Sequence, residues 1–157
     1  MATILAHIRI KPGHEAAFER TARDMFASSH GKEPDLRRYE YWRSQSAGEY
    51  YCLLAFDDFL GFMKHQSSPH HELAAEPLME AIADLRLEWV DPIEGASPLP
   101  PTRAQPVRAD ADALVRRYAE LMPVVVADWW IPLRESCQAA AQETFNETSP
   151  KAHSAGA

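Results

Sequence analysis

The sequence predicts an α+β fold with the ferredoxin-like order β-α-β-β-α-β, and three observations carry that prediction. Residues 3–10 alternate apolar and polar side chains and are followed by a helical stripe from His14. Two more strand-like runs, 36–44 and 50–56, are separated by little more than Ser46-Ala47-Gly48, a hairpin signal. A second helical region and a last alternating run then complete the order.

In the first strand Ile4, Ala6, Ile8 and Ile10 share one face, and Leu5, His7 and Arg9 the other. Lys11-Pro12-Gly13 stops it. Ala17, Phe18, Thr21, Ala22, Met25 and Phe26 trace the inward stripe of the first helix, while Glu15, Glu19, Arg20 and Asp24 form its solvated side. The polar stretch from Ser28 to Asp35, with Gly31 and Pro34, reads as a loop. The second strand sets Tyr39 and Tyr41 against Glu40 and Trp42, and the third, Tyr50 to Phe56, is apolar on both faces. Asp57-Asp58 caps a helical region that runs from Phe59 towards Ile82 and is kinked or restarted at Pro77. Leu85, Leu87 and Trp89 alternate with Arg86, Glu88 and Val90 in the fourth strand, which Asp91-Pro92 ends.

Two helices cover one face of a four-stranded sheet, so the apolar third strand leaves the other face to be buried by something else. A homodimer, sheet to sheet, is the expectation, with a terminal extension as the other possible cover. The chain divides into a domain over residues 1–98, a proline-rich linker over 99–109, a helical extension over 110–148 and a disordered tail over 149–157. Leu114, Val115, Tyr118, Leu121 and Met122 form the apolar side of the extension, and Trp129-Trp130 adds aromatic surface that should dock on something.

With 46% hydrophobic and 25% charged residues, the 157-residue chain has the composition of an ordinary globular protein. A formal charge of -7 argues against nucleic acid or an anionic membrane as main partner. Cys52 and Cys137 give neither a disulfide framework nor metal-ligand spacing, so a reducing, cytoplasmic setting is the default. No leader peptide and no run long enough to span a bilayer is visible.

Chemistry concentrates in residues 59–73, where Phe59, Phe62 and Met63 recur at helical spacing and His65 lies near the edge of that face. Ser68 can cap a new helix with Pro69 in its first position, placing His70 and His71 in the first turn. The positive helix start disfavours a protonated imidazole there, and a neutral histidine can accept a proton. Surface histidines on a helix–turn–helix are the plain alternative. A metal on His65 and His70 is set aside, because no acidic residue lies at a familiar ligand spacing.

The strand order, the strand ending in Lys11-Pro12-Gly13, the sequence His65-Gln-Ser-Ser-Pro-His70-His71 and the ending Trp89-Val-Asp-Pro-Ile-Glu-Gly-Ala-Ser97 together resemble the antibiotic biosynthesis monooxygenase superfamily. The likeness covers about residues 2–98 and is greatest to quinol-monooxygenase-type members. It implies a homodimeric α+β barrel with an apolar pocket between sheet and helices in each subunit. It also implies oxidation of a small phenolic or quinol-type aromatic by O2, with no cofactor.

His65 and His70 are carried over as base and hydrogen-bonding partner, with His7, Tyr41, Phe62, His71 and Trp89 as substrate contacts. Core or dimer packing competes for His7, Tyr41 and Trp89. Haem-degrading relatives carry an Asn on the first strand and a Trp on the second helix. Here His7 lies near the first position and no Trp occurs between Phe59 and Ile82, which argues against that reaction. The other reading open on sequence is a non-catalytic dimeric module that binds a small hydrophobic ligand, or a partner through its extension.

Overall fold

The structure, a computed structural model, describes residues 1–136. Its elements are β1 (Ala2–Ile10), α1 (Glu15–Lys32), β2 (Leu36–Arg43), β3 (Glu49–Phe56), α2 (Phe59–Gln66), α3 (Pro69–Ala81), β4 (Ile82–Trp89) and α4 (Ala113–Leu121). The strands form one antiparallel sheet in the order β2-β3-β1-β4, the ferredoxin-like arrangement expected from the alternation.

Register decides which side chains meet the helices. Ile4 lies opposite Leu54 and Trp89, Ala6 opposite Cys52 and Leu87, and Ile8 opposite Tyr50 and Leu85. Because paired residues project to the same side, these share the helix-covered face with Tyr39 and Tyr41 of β2. Phe18, Ala22 and Met25 of α1 and Phe59, Phe62 and Met63 of α2 close over them in a single core. The opposite face carries Leu5, His7, Leu53, Tyr51, Trp42 and Arg86 in register. No helix of the described residues covers it, and Trp42 is 59% exposed.

Three local readings change. The segment read as a loop from Ser28 continues α1 to Lys32, because Ser29 is fully buried and the Glu33 N–H bonds back to the Ser29 carbonyl. Burial of one side chain outweighs the weak helix propensity of Ser and Gly there. The second helical region breaks into two helices at Ser67-Ser68, as Ser68-Pro69 predicts, but α3 runs through Pro77 without restarting. β4 opens at Ile82, three residues before the alternation becomes legible, where Ile10 pairs with Ile82 and the Lys11 N–H reaches the Ala81 carbonyl.

Met1–Val126 form one compact unit, and the residues from Ala127 another. Within the first, the proline-rich stretch is tied down at Thr102, whose hydroxyl donates to the Val90 carbonyl at 2.7 Å and whose N–H donates to Asp91 Oδ1 at 3.0 Å. α4 then lies on α2, burying Val115, and Trp89 Nε1 donates to the Pro123 carbonyl at 3.0 Å. In the second unit the Trp129 and Trp130 rings meet edge to face at 6.2 Å. The rest of the expected helical extension, Cys137 and the tail over 149–157 lie outside the described residues. No helix among the described residues is long and apolar enough to cross a membrane.

Candidate functional site

The ionisable groups of the interior gather where the end of α1 meets the α2–α3 junction. Continuation of α1 past Ser29 delivers Glu33, its C-cap residue, to this point. On the other side Asp58 caps α2 by accepting the Gly61 N–H at 2.8 Å, which sets the helix so that Phe62 and Met63 face the sheet. His65, one helical step further, is only 1% exposed. The edge position expected for it is an inner one, because its ring packs against Tyr39 and Phe56 of the sheet and against His71.

Ser68 caps α3 by accepting the His71 N–H, and this first turn swings His70 back towards α1. One carboxylate then serves both histidines. His65 Nδ1 lies 3.0 Å from each Glu33 oxygen, and His70 Nε2 lies 2.6 Å from Oε1. The hydroxyls of Ser29 and Ser68 stand 3.3 and 3.2 Å from the same His70 nitrogen. Since a carboxylate accepts only, the bonded ring nitrogens are donors, and among the described residues His65 Nε2 has no hydrogen-bond partner.

Burial by itself would raise the Glu33 carboxyl, but the hydrogen bonds and charge of His65, then of His70, outweigh it and hold the group below its ordinary range. Burial, then the neighbouring His65, lowers His71 to about 4, so that ring is neutral near pH 7. Its Nδ1 is buried without a partner, and its ring faces His65 at 5.1 Å. Tyr39 meets the His65 ring edge to face at 5.1 Å and shares a 2.8 Å hydroxyl–hydroxyl hydrogen bond with Tyr41. Burial pushes both phenols far above their ordinary range, so they stay protonated.

A cavity of about 400 Å³ opens on Glu33, His65 and His70, with Lys64, Asp112 and Val115 on its rim. A larger cleft of about 580 Å³ lies between α1 and β2, floored by Phe18, Tyr41 and Tyr50 and bordered by the Glu19–Arg43 ion pair. That pair, with the Tyr50 hydroxyl, holds Glu19 at about 2.

The residues singled out on sequence fall into four places. His65, His70 and His71 stand together, with His65 and His70 lining the smaller cavity. Tyr41 lines the larger cleft, while Phe62 and Trp89 pack on each other in the core at 5.6 Å. His7 is on the uncovered sheet face, bonded to Glu88 at 3.0 Å and edge-on to Tyr51. Glu33 was missed, because a glutamate in a polar stretch read as a loop carries no periodic signal. The cue the sequence holds is the α1 stripe, which continues past Phe26. Its arrival also removes the ground on which a metal was set aside, since an acid now joins the two histidines.

A ferredoxin-like α+β domain with histidines on its second helical region is the class that fold and site define. Residues 1–77 match the sequence model of the antibiotic biosynthesis monooxygenase family, and this part of the chain is a domain of that family. Solved structures of similar fold include two that carry the same family name. A Caulobacter crescentus protein is 22% identical, with a TM-score of 0.56 over 59% of this chain and 90% of its own. A Nitrosomonas europaea protein is 15% identical, also at 0.56, over 59% of this chain and 99% of its own. A Mycobacterium tuberculosis protein is similar at 18% identity and a TM-score of 0.56, over 61% and 98%. Identities this low speak to the fold alone. No curated protein matches the sequence.

Proposed function

We propose that this domain oxidises a small phenolic or quinol-type aromatic with O2, without a cofactor, and that His65 is the base that ionises the substrate hydroxyl. The observation that carries this reading is the Glu33 carboxylate on Nδ1 of a buried histidine that lines a cavity. A carboxylate on Nδ1 keeps the proton there, which leaves Nε2 as the acceptor and strengthens it as the ring becomes positive. The ionised phenol is electron-rich and can reduce O2 itself. One oxygen atom enters the ring as a carbonyl, the other leaves as water, and all four electrons come from the substrate. The protein needs to supply the base, a water-poor pocket and orientation. His70, whose Nε2–H goes to Glu33, is the partner for the developing anion when its Nδ1 also carries a proton, and a homodimer through the uncovered sheet face is part of the same proposal.

The test is oxygen consumption against a panel of quinols and anthrone-like phenols. His65→Ala is expected to lower turnover by about 10²–10⁴-fold, the usual worth of a general base. Circular dichroism should stay that of the parent. Full activity in His65→Ala would place the base elsewhere. A second reading, a non-catalytic module for a small hydrophobic ligand, is favoured by one observation. Phe62 and Trp89 occupy the space between α2 and the sheet, and His65, packed against Tyr39 and Phe56, has almost no exposure. Absence of oxygen uptake across the whole panel, together with saturable binding of one of its members, decides for that reading.

A further inference from the structure

We propose that Glu33, His65 and His70 form a binding site for a borderline divalent transition-metal ion such as Zn²⁺, and that occupation of this site silences the domain. The first part rests on geometry alone, and only the second rests on the function proposed above.

The three donor atoms, a carboxylate oxygen, His65 Nδ1 and His70 Nε2, all lie within 4.8 Å of one another. All three residues line the same cavity of about 400 Å³, so an ion among them has a route in and room for water on its open side. Zinc lies about 2.0–2.2 Å from nitrogen and oxygen ligands, which places neighbouring donors of a tetrahedron about 3.3 Å apart. Here the carboxylate stands 3.0 Å from His65 and 2.6 Å from His70. Seating the ion widens both carboxylate separations by about half an ångström, while the two histidine nitrogens, within 4.8 Å of each other, settle to the same spacing. His70 and Glu33, whose side chains are 11% and 13% exposed against 1% for His65, are the groups free to make this shift.

Donor chemistry narrows the ion. Two imidazoles and one carboxylate suit zinc and its transition-metal neighbours, whereas calcium and magnesium take oxygen ligands almost throughout. Three protein ligands leave further positions to water or to the hydroxyls of Ser29 and Ser68, which already stand 3.3 and 3.2 Å from His70 Nε2. Binding needs no net loss of protons from the histidines. Each ring moves its N–H from the nitrogen now facing Glu33 to its other nitrogen and offers the vacated lone pair to the ion. For His65 that move puts the proton on Nε2, where the proposed base must have none. Metal and general base therefore exclude one another at this ring.

The experiment is a titration of chelator-treated full-length protein with Co²⁺, followed by its visible ligand-field absorption, with displacement by Zn²⁺. The parent is expected to bind one equivalent that Zn²⁺ displaces. Glu33→Gln and His70→Ala, each checked for folding by circular dichroism, should bind at least about 10-fold more weakly. His30→Ala, which removes an exposed histidine near the end of α1, should bind like the parent. Absence of the absorption in the parent, or equal affinity in the parent and in both site variants, overturns the site. If a phenol is turned over, Zn²⁺ at the occupancy seen by absorption should stop its oxidation, and undiminished turnover overturns the silencing. Because the absorption needs no turnover, failure of the metal site leaves the oxygen-consumption test of His65 standing, and the reverse also holds.

Discussion

Ser68 does two jobs with one oxygen. It accepts the His71 N–H as the cap of α3 and stands 3.2 Å from the His70 nitrogen that meets Glu33. The direction in which His70 leaves the helix is thus set by the same turn that starts the helix. Ser68→Ala is expected to cost about 0.5–2 kcal/mol, the usual worth of a serine cap. Chemical denaturation of parent and variant checks this. An unchanged midpoint would mean that Pro69, with its fixed φ in the first helical position, holds the start of α3 without the hydroxyl.

At the scale of elements, the addition to the ferredoxin-like unit is α4. It sits on α2 through Val115, and its Tyr118 hydroxyl donates to Glu72 of α3 at 2.5 Å. Partial burial, then the bond to the Glu72 carboxylate, pushes the Tyr118 phenol up to about 12. The folded state holds this proton more tightly than the unfolded chain, whose phenol has its ordinary value of about 10. The linked stability is therefore fully present below pH 10 and is lost as pH rises through about 12. Tyr118→Phe should cost about 0.5–1.5 kcal/mol at neutral pH. Its melting temperature should fall less than that of the parent between neutral pH and pH 12. Parallel pH profiles for the two proteins would show that this bond is not made.

For the whole molecule, the sheet face that no described helix covers decides how copies can assemble. Leu5 and Leu53 face each other across β1 and β3, flanked by the rows of Trp42, Tyr51, His7 and Arg86. A sheet face with this apolar centre is what a second copy would bury. Light scattering at micromolar concentration should give twice 17.7 kDa. Leu53→Glu, which places a charge in the middle of the face beside Glu40 and Leu5, should give the single mass with an unchanged circular dichroism spectrum. A monomeric parent would defeat the dimer.

The order of strands and helices was legible because alternation and helical stripes are local consequences of burial on one side. Ile4 to Ile10, Phe18 to Met25 and Tyr39 with Tyr41 all lie on the face that their spacing assigns. The clustering of His65, His70 and His71 was legible for the same reason, since Ser68-Pro69 marks its own helix start. The other half of the site was not. Glu33 comes from 32 residues before His65, on a helix end that only the burial of Ser29 keeps wound. The depth of His65 depends on Tyr39 and Phe56, which reach its ring from β2 and β3. Which carboxylate meets which imidazole, and whether a helix face meets water, are properties of packed neighbours distant in sequence, and no local pattern encodes them.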